Sequence, residues 1–228
     1  MKIDEEYLKP TMFLDFNHSL IQDQILKMFP NLKISNSMNS NKTIQLDLES
    51  IRQIAIKLFY FVRDEIKYTI ITSFLSRKMM KSSEILKNRR GYCVQKAILL
   101  SSLGRAVGIP SRLHFADIIN YKASKKIQRF MGTNLFVWHG FTEFYINNNW
   151  IKLTPAFDKE LCEEQGFPIV EFDGYNNAVF QPYDKDGNKF IEYIKDRGIF
   201  SDVPYNKING DLIETYGEHV LNNFHLLQ

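Results

Sequence analysis

The stretch "GYCVQKAILLSSLGRAVGIPSRL" constrains the fold more than any other part of the chain. Val94, Ala97, Ile98, Leu100, Leu103 and Val107 recur at helical spacing, so an apolar helix begins beside Cys93. Gly108 and Pro110 end it, as a glycine beyond a C-terminus and a following proline commonly do. Cys93 therefore falls in the first turn or at the cap. Two readings stay open for it: a small packed hydrophobe, or a nucleophile held where unpaired helix N–H groups favour a thiolate and can bind an oxyanion.

The elements around this helix point to an α+β chain. Upstream, Ile51, Ile54, Ala55, Leu58 and Val62 mark a long helix, with Asp47 or Ser50 as cap. A shorter helix ends near Phe29, capped by Asn17 or Ser19, and another lies near Ser83–Lys87. The asparagine-rich 31–42 reads as a loop. Downstream, "SRLHFADIIN", "LFVWHGFTEFYI" and "WIKLTPAF" read as strands, the last two joined by a tight turn. Residues 121–133 between the first two read as a polar excursion. The expected organisation is one domain: an N-terminal extension over 1–49, a core over 50–160, and an irregular C-terminal extension over 161–228. Phe167, Phe172, Tyr175, Phe180 and Tyr183 give that extension enough aromatic surface to pack on the core and form part of the cleft.

Composition narrows the function classes. With 29 basic against 26 acidic residues in 228, the charge is too even for the basic stripe of a nucleic-acid protein. No apolar run reaches about 18 residues, so no membrane span is expected. The two cysteines, Cys93 and Cys162, form no CxxC, and the N-terminus lacks a signal-peptide h-region, so the expectation is a cytoplasmic protein. "DKDGNKFIE" starts like a calcium loop at Asp184, but Lys189 and Lys195 hold the positions that need glycine and glutamate. No metal or cofactor is expected.

A thiol nucleophile needs a base, and the base needs an orienting group. His139, mid-strand in "FVWHGFTEF", suits the first role; Asp158, just past the returning strand, suits the second. Helix-start Cys, strand His and post-strand Asp form one workable order for a triad. Tyr68, Tyr92, Gln95 and Trp138 are candidate cleft or oxyanion residues. Glu143 shares the His139 strand face, where a structural hydrogen bond is the simpler role; His114 reads as structural, His18, His219 and His225 suggest no metal, and Cys162 has no base.

These segments resemble the transglutaminase-like superfamily. "GYCVQKAILLSSLGRAVGIPSRL" is similar to its nucleophile helix, "WHGFTEFYINNNWIKLTPAFD" to its histidine strand and return, and "FVRDEIKY" to the end of its preceding helix. The resemblance covers about residues 50–160. It implies a papain-like core, a nucleophile helix packed on an antiparallel sheet, with Cys93 as nucleophile and His139 as base. It also implies an enzyme of peptide, protein or small-amide substrates working through a thioester, with hydrolysis expected over transfer to amines. The family's usual third residue, an aspartate, is replaced by Thr154, which leaves Thr154 as the alternative to Asp158. That departure keeps a second expectation open: an inactive peptide- or protein-binding module of the same fold.

Overall fold

The computed structural model describes residues 4–31, 47–70 and 76–223. Its N-terminal half is helical: α1 (Ser19–Met28), α2 (Leu48–Glu65), α3 (Ser82–Asn88) and α4 (Cys93–Ala106), with two-residue strands β1 (Lys67–Tyr68) and β2 (Arg90–Gly91) pairing in parallel. Asp47 caps α2 by accepting from the Ser50 N–H, as expected. For α1 the cap is His18, through its ring nitrogen, and not Asn17 or Ser19. The loop expected over 31–42 lies outside the described residues apart from Asn31.

The remaining elements are β3 (Ser111–Asn120), α5 (Lys125–Met131), β4 (Leu135–Ile146), β5 (Asn149–Leu153), α6 (Lys159–Gln165), β6 (Ile191–Phe200), α7 (Tyr205–Tyr216) and α8 (Glu218–Asn223). The larger sheet has strand order β5-β4-β3-β6, antiparallel throughout. Two sequence expectations change here. The polar excursion holds a short helix, α5, capped by Ser124. The supposedly irregular C-terminal segment supplies a full sheet strand, β6, hydrogen-bonded along β3. Its alternation is masked because glycine, lysine and aspartate sit on a half-exposed edge strand, where apolar residues are not required.

α4 is buried along almost its whole length and packs across β4. The seat is cut by small residues. A Cβ on Gly140 would stand 2.9 Å from the Val94 Cα, and one on Gly104 would stand 2.4 Å from the Phe144 ring. Between them the Thr142 hydroxyl donates to the Ala97 carbonyl at 2.8 Å and accepts from Ser101 at 3.1 Å. Gly108, at φ +83°, then turns the chain into β3, and the Ile109 N–H returns to the Gly104 carbonyl.

Gly104→Ala should destabilise the protein by about 1–3 kcal/mol, the usual cost of overpacking a well-filled core. Denaturant melts at neutral pH measure it, and an unchanged midpoint would show that the seat is slack.

Candidate active site

Cys93 is the first residue of α4. Tyr92 is the N-cap, and its N–H donates to the Gln95 side chain at 3.2 Å, while Gln95 donates on to the Met79 carbonyl at 2.9 Å. The Tyr92 hydroxyl lies 3.7 Å from the Met80 sulfur. Tyr92 and Gln95 therefore hold the helix start; each is buried and engaged by the frame.

His139 reaches the thiol's cavity through an irregularity in β4. Across from β3, His139 pairs with Ala116 and Phe136 with Ile118, so Val137 and Trp138 together oppose Asp117 alone. This is a β-bulge, a device that re-aims the next side chain. Trp138 takes a left-handed φ of 59° in it. Asp117 accepts from the Trp138 N–H at 3.0 Å, and Arg197 of β6 grips both Asp117 oxygens at 2.8 Å. The Trp138 indole donates to Asp211 of α7 at 2.8 Å, which Arg197 also holds. Trp138 is thus a buried anchor for the bulge. Asp117, Arg197 and Asp211 escaped the sequence reading because nothing in their local pattern marks them.

Cys93 and His139 line one small cavity of about 50 Å³ with Tyr68, Tyr92, Trp138 and residues of α7, among them Leu212 and Tyr216. A water needs about 10–15 Å³ of such space, so a few waters fit. Cys93 keeps some accessible surface because it borders this space. Burial pushes its thiol up to about 11, outweighing the N–H groups of Gly140, Val94 and Cys93 itself, which pull it down. The low thiol pKa expected of a helix start is therefore not realised: desolvation exceeds the effect of the helix terminus.

The imidazole is more enclosed than the thiol. Its ring lies 5.1 Å from Phe180, 6.0 Å from Tyr193 and 6.1 Å from Phe141, centroid to centroid. Burial pushes its pKa down to about 3, and Nε2 is sealed from solvent with no hydrogen-bond partner. The resting pair is a neutral thiol and a neutral imidazole, with no hydrogen bond drawn between them; such contacts commonly tighten only with substrate bound.

Asp158 does not orient His139. Its carboxylate accepts from the Tyr68 N–H at 2.9 Å and, as N-cap of α6, from the Leu161 N–H at 3.2 Å, with Lys67 at 3.6 Å. A chain that turns into a helix right after the strand draws the carboxylate to the helix start and away from the ring. Thr154 is buried, and its hydroxyl has no partner that completes a hydrogen bond. It lies beside the Tyr193 hydroxyl, whose pKa burial raises to about 12 against the opposing influence of Thr154. Tyr68 is both cavity wall and, through its backbone, the partner of Asp158.

The other polar candidates are structural. Glu143 accepts from His114 Nδ1 at 2.7 Å and from Arg112 at 2.6 Å, while His114 Nε2 meets Asp196 at 3.0 Å. Cys162 is buried on α6 under Pro168, its thiol raised to about 11 by burial. Among the described residues no group of three or more His, Cys, Asp or Glu could hold a metal ion, and no helix is long and apolar enough to cross a membrane.

The class of fold is thus a cysteine at the start of a buried helix, packed on an antiparallel sheet and sharing one cavity with a strand histidine. The family model of the transglutaminase-like superfamily matches residues 39–155, just over half of the chain, and the protein belongs to that superfamily. A crystal structure of a "putative cysteine protease" from Cytophaga hutchinsonii aligns with a TM-score of 0.43 and 16% identity, over 87% of this chain and 55% of that one. This chain thus spans little more than half of that protein's length. No curated protein matches.

Two outcomes test the site. Asp158→Ala should cost about 0.5–2 kcal/mol, the loss of an N-cap, while leaving the NMR titration of His139 unmoved. A shifted His139 midpoint would restore Asp158 to the triad. The second concerns acid stability. His139 has a folded pKa near 3 against an ordinary 6.5, so between these values the unfolded chain binds a proton that the folded one does not. Its contribution is complete above pH 6.5 and is lost as pH falls toward 3. Chemical denaturation at pH 7 and pH 4 should show a drop that is smaller in His139→Phe; equal drops would place His139 in contact with water.

Proposed function

We propose that the protein is a cysteine enzyme that cleaves amide bonds through a thioester, using a Cys93–His139 dyad without a carboxylate on the imidazole. The observation that carries this reading is the shared cavity: the thiol at the helix start, the imidazole beside it, and the Gly140 N–H acting on the sulfur. Because Nε2 is sealed, Nδ1 is the ring nitrogen left to exchange a proton with the cavity.

The steps follow from that arrangement. Sγ attacks the amide carbon as its proton passes to His139, and the new oxyanion takes hydrogen bonds from N–H groups at the start of α4 and at Gly140. The C–N bond breaks as His139 returns the proton to the leaving amine. Water, activated by the same ring, attacks the thioester and releases a carboxylic acid and the free thiol. The imidazolium formed in between has no carboxylate to stabilise it, so turnover is slow beside that of a complete triad. Water is favoured over an amine as acceptor because the cavity holds a few waters and its described lining offers no carboxylate to bind an ammonium group.

One observation favours a second reading, a binding module with an idle site: the unpartnered Nε2 lies among Phe141, Phe180 and Tyr193.

An activated acyl ester followed by intact mass separates the two. The enzyme reading expects acylation at Cys93, abolished in Cys93→Ala and slowed about 10²–10⁴-fold in His139→Ala, the usual worth of a general base. It also expects carboxylic acid as the main product when millimolar primary amine is present. Acylation that is stable, or insensitive to His139, supports the binding module; predominant amide product means transfer.

A further inference from the structure

An open groove of about 540 Å³ adjoins the thiol cavity and shares Tyr68, Ile70 and Phe136 with it. Its volume is that of an ordinary ligand site, roughly 300–1,000 Å³. The floor is apolar. Tyr68, Phe157 and Phe167 form a run of rings, Tyr68 to Phe157 at 4.8 Å and Phe157 to Phe167 at 5.4 Å, each only half-buried. Among the described residues, the side chains that border the groove include no carboxylate.

Its charge is one-sided. Lys122 on one rim is neutralised by Asp184 behind it at 2.5 Å. Arg90 on another is exposed and makes no ion pair or hydrogen bond with the described residues. The adjacent Arg89 shows the contrast: it turns away at φ 53°, bonds Gln24 at 3.1 Å and lies over the Phe61 ring. Arg90 stands on β2, three residues before the thiol, and β2 is fastened to β1 by backbone pairing. A cation thus stands on a short strand at the rim of a groove that shares Tyr68, Ile70 and Phe136 with the Cys93 cavity.

We propose that this groove binds an acidic peptide segment flanking the scissile amide, seating a large apolar side chain on Tyr68, Phe157 and Phe167 and a neighbouring carboxylate on Arg90. The assignment rests on the amide-cleaving reading and adds its substrate class. Uncharged apolar ligands would leave Arg90 unused, and basic ones would meet it with the wrong sign. Tyr68 and Phe136 border both spaces, so a peptide seated in the groove lies beside the thiol cavity.

The test is fluorescence anisotropy with full-length Cys93→Ala protein and labelled pentapeptides carrying Phe-Glu, Phe-Gln, Phe-Lys or Ala-Glu at the centre. Because binding is read without turnover, an idle thiol does not affect it. Phe-Glu should bind tightest, ahead of Phe-Gln by about two- to tenfold, the span from an exposed ion pair to a charge-assisted hydrogen bond. Adding Arg90→Gln should erase that gap and Arg90→Glu should invert the order of Phe-Glu and Phe-Lys. Equal binding of Phe-Glu and Phe-Gln, a gap that survives Arg90→Gln, or Ala-Glu matching Phe-Glu would each overturn the proposal. So would Arg90-dependent binding of a single-stranded RNA oligonucleotide with none of the peptides. With the Cys93 protein, kcat/KM for the same peptides as amides should follow the same order; binding in that order without turnover would sink the enzyme reading and leave the groove.

Discussion

The close seat of α4 on β4 is the contact on which the rest depends. Gly140 lets the Val94 backbone approach a strand to within the radius of a missing methyl, and Gly104 does the same for the Phe144 ring. That approach carries Cys93 to the Gly140 N–H, so the glycine directly after His139 both seats the helix and acts on the sulfur. Thr142, between the two glycines, ties the layers with hydrogen bonds that an apolar residue would leave unmade. The bulge at Val137–Trp138 then sets the histidine against a helix start already fixed.

Enclosure governs the electrostatics of this site. A helix N-terminus offers about half a unit of positive charge, whereas removing water from a thiolate and an imidazolium penalises both charged forms strongly. Burial therefore moves Cys93 up and His139 down, and the pair rests uncharged. A carboxylate at Nε2 would oppose this for the histidine, but Nε2 has no hydrogen-bond partner among the described residues.

The C-terminal segment closes the site from the far side. β6 completes the sheet and brings Arg197 to Asp117, and α7 lays Leu212 and Tyr216 over the cavity, with Asp211 tied to Trp138 and Arg197. The Tyr216 hydroxyl bridges the Val137 N–H and the Leu135 carbonyl on β4 just before the bulge. The strain at Trp138 is thus held by groups far away in the chain, which is how sparsely populated backbone conformations persist.

Local pattern alone determined much of this protein. The α2 and α4 helices, strands β3 and β4 to the residue, and the placing of Cys93 at a helix start all follow from periodicity, capping and glycine–proline punctuation, signals that act over a few residues. That Cys93 and His139 would come to one place was legible as well, through the order of their segments, and the two line one cavity. Tertiary structure decided the rest. Asp158 is near His139 in sequence terms but belongs to the α6 start, since a carboxylate before a helix is captured by N–H groups that nothing else satisfies. The edge strand β6, the Asp117–Arg197 clamp and the uncharged state of the site depend on partners some eighty residues apart or on burial, and neither quantity is written in any local stretch of sequence.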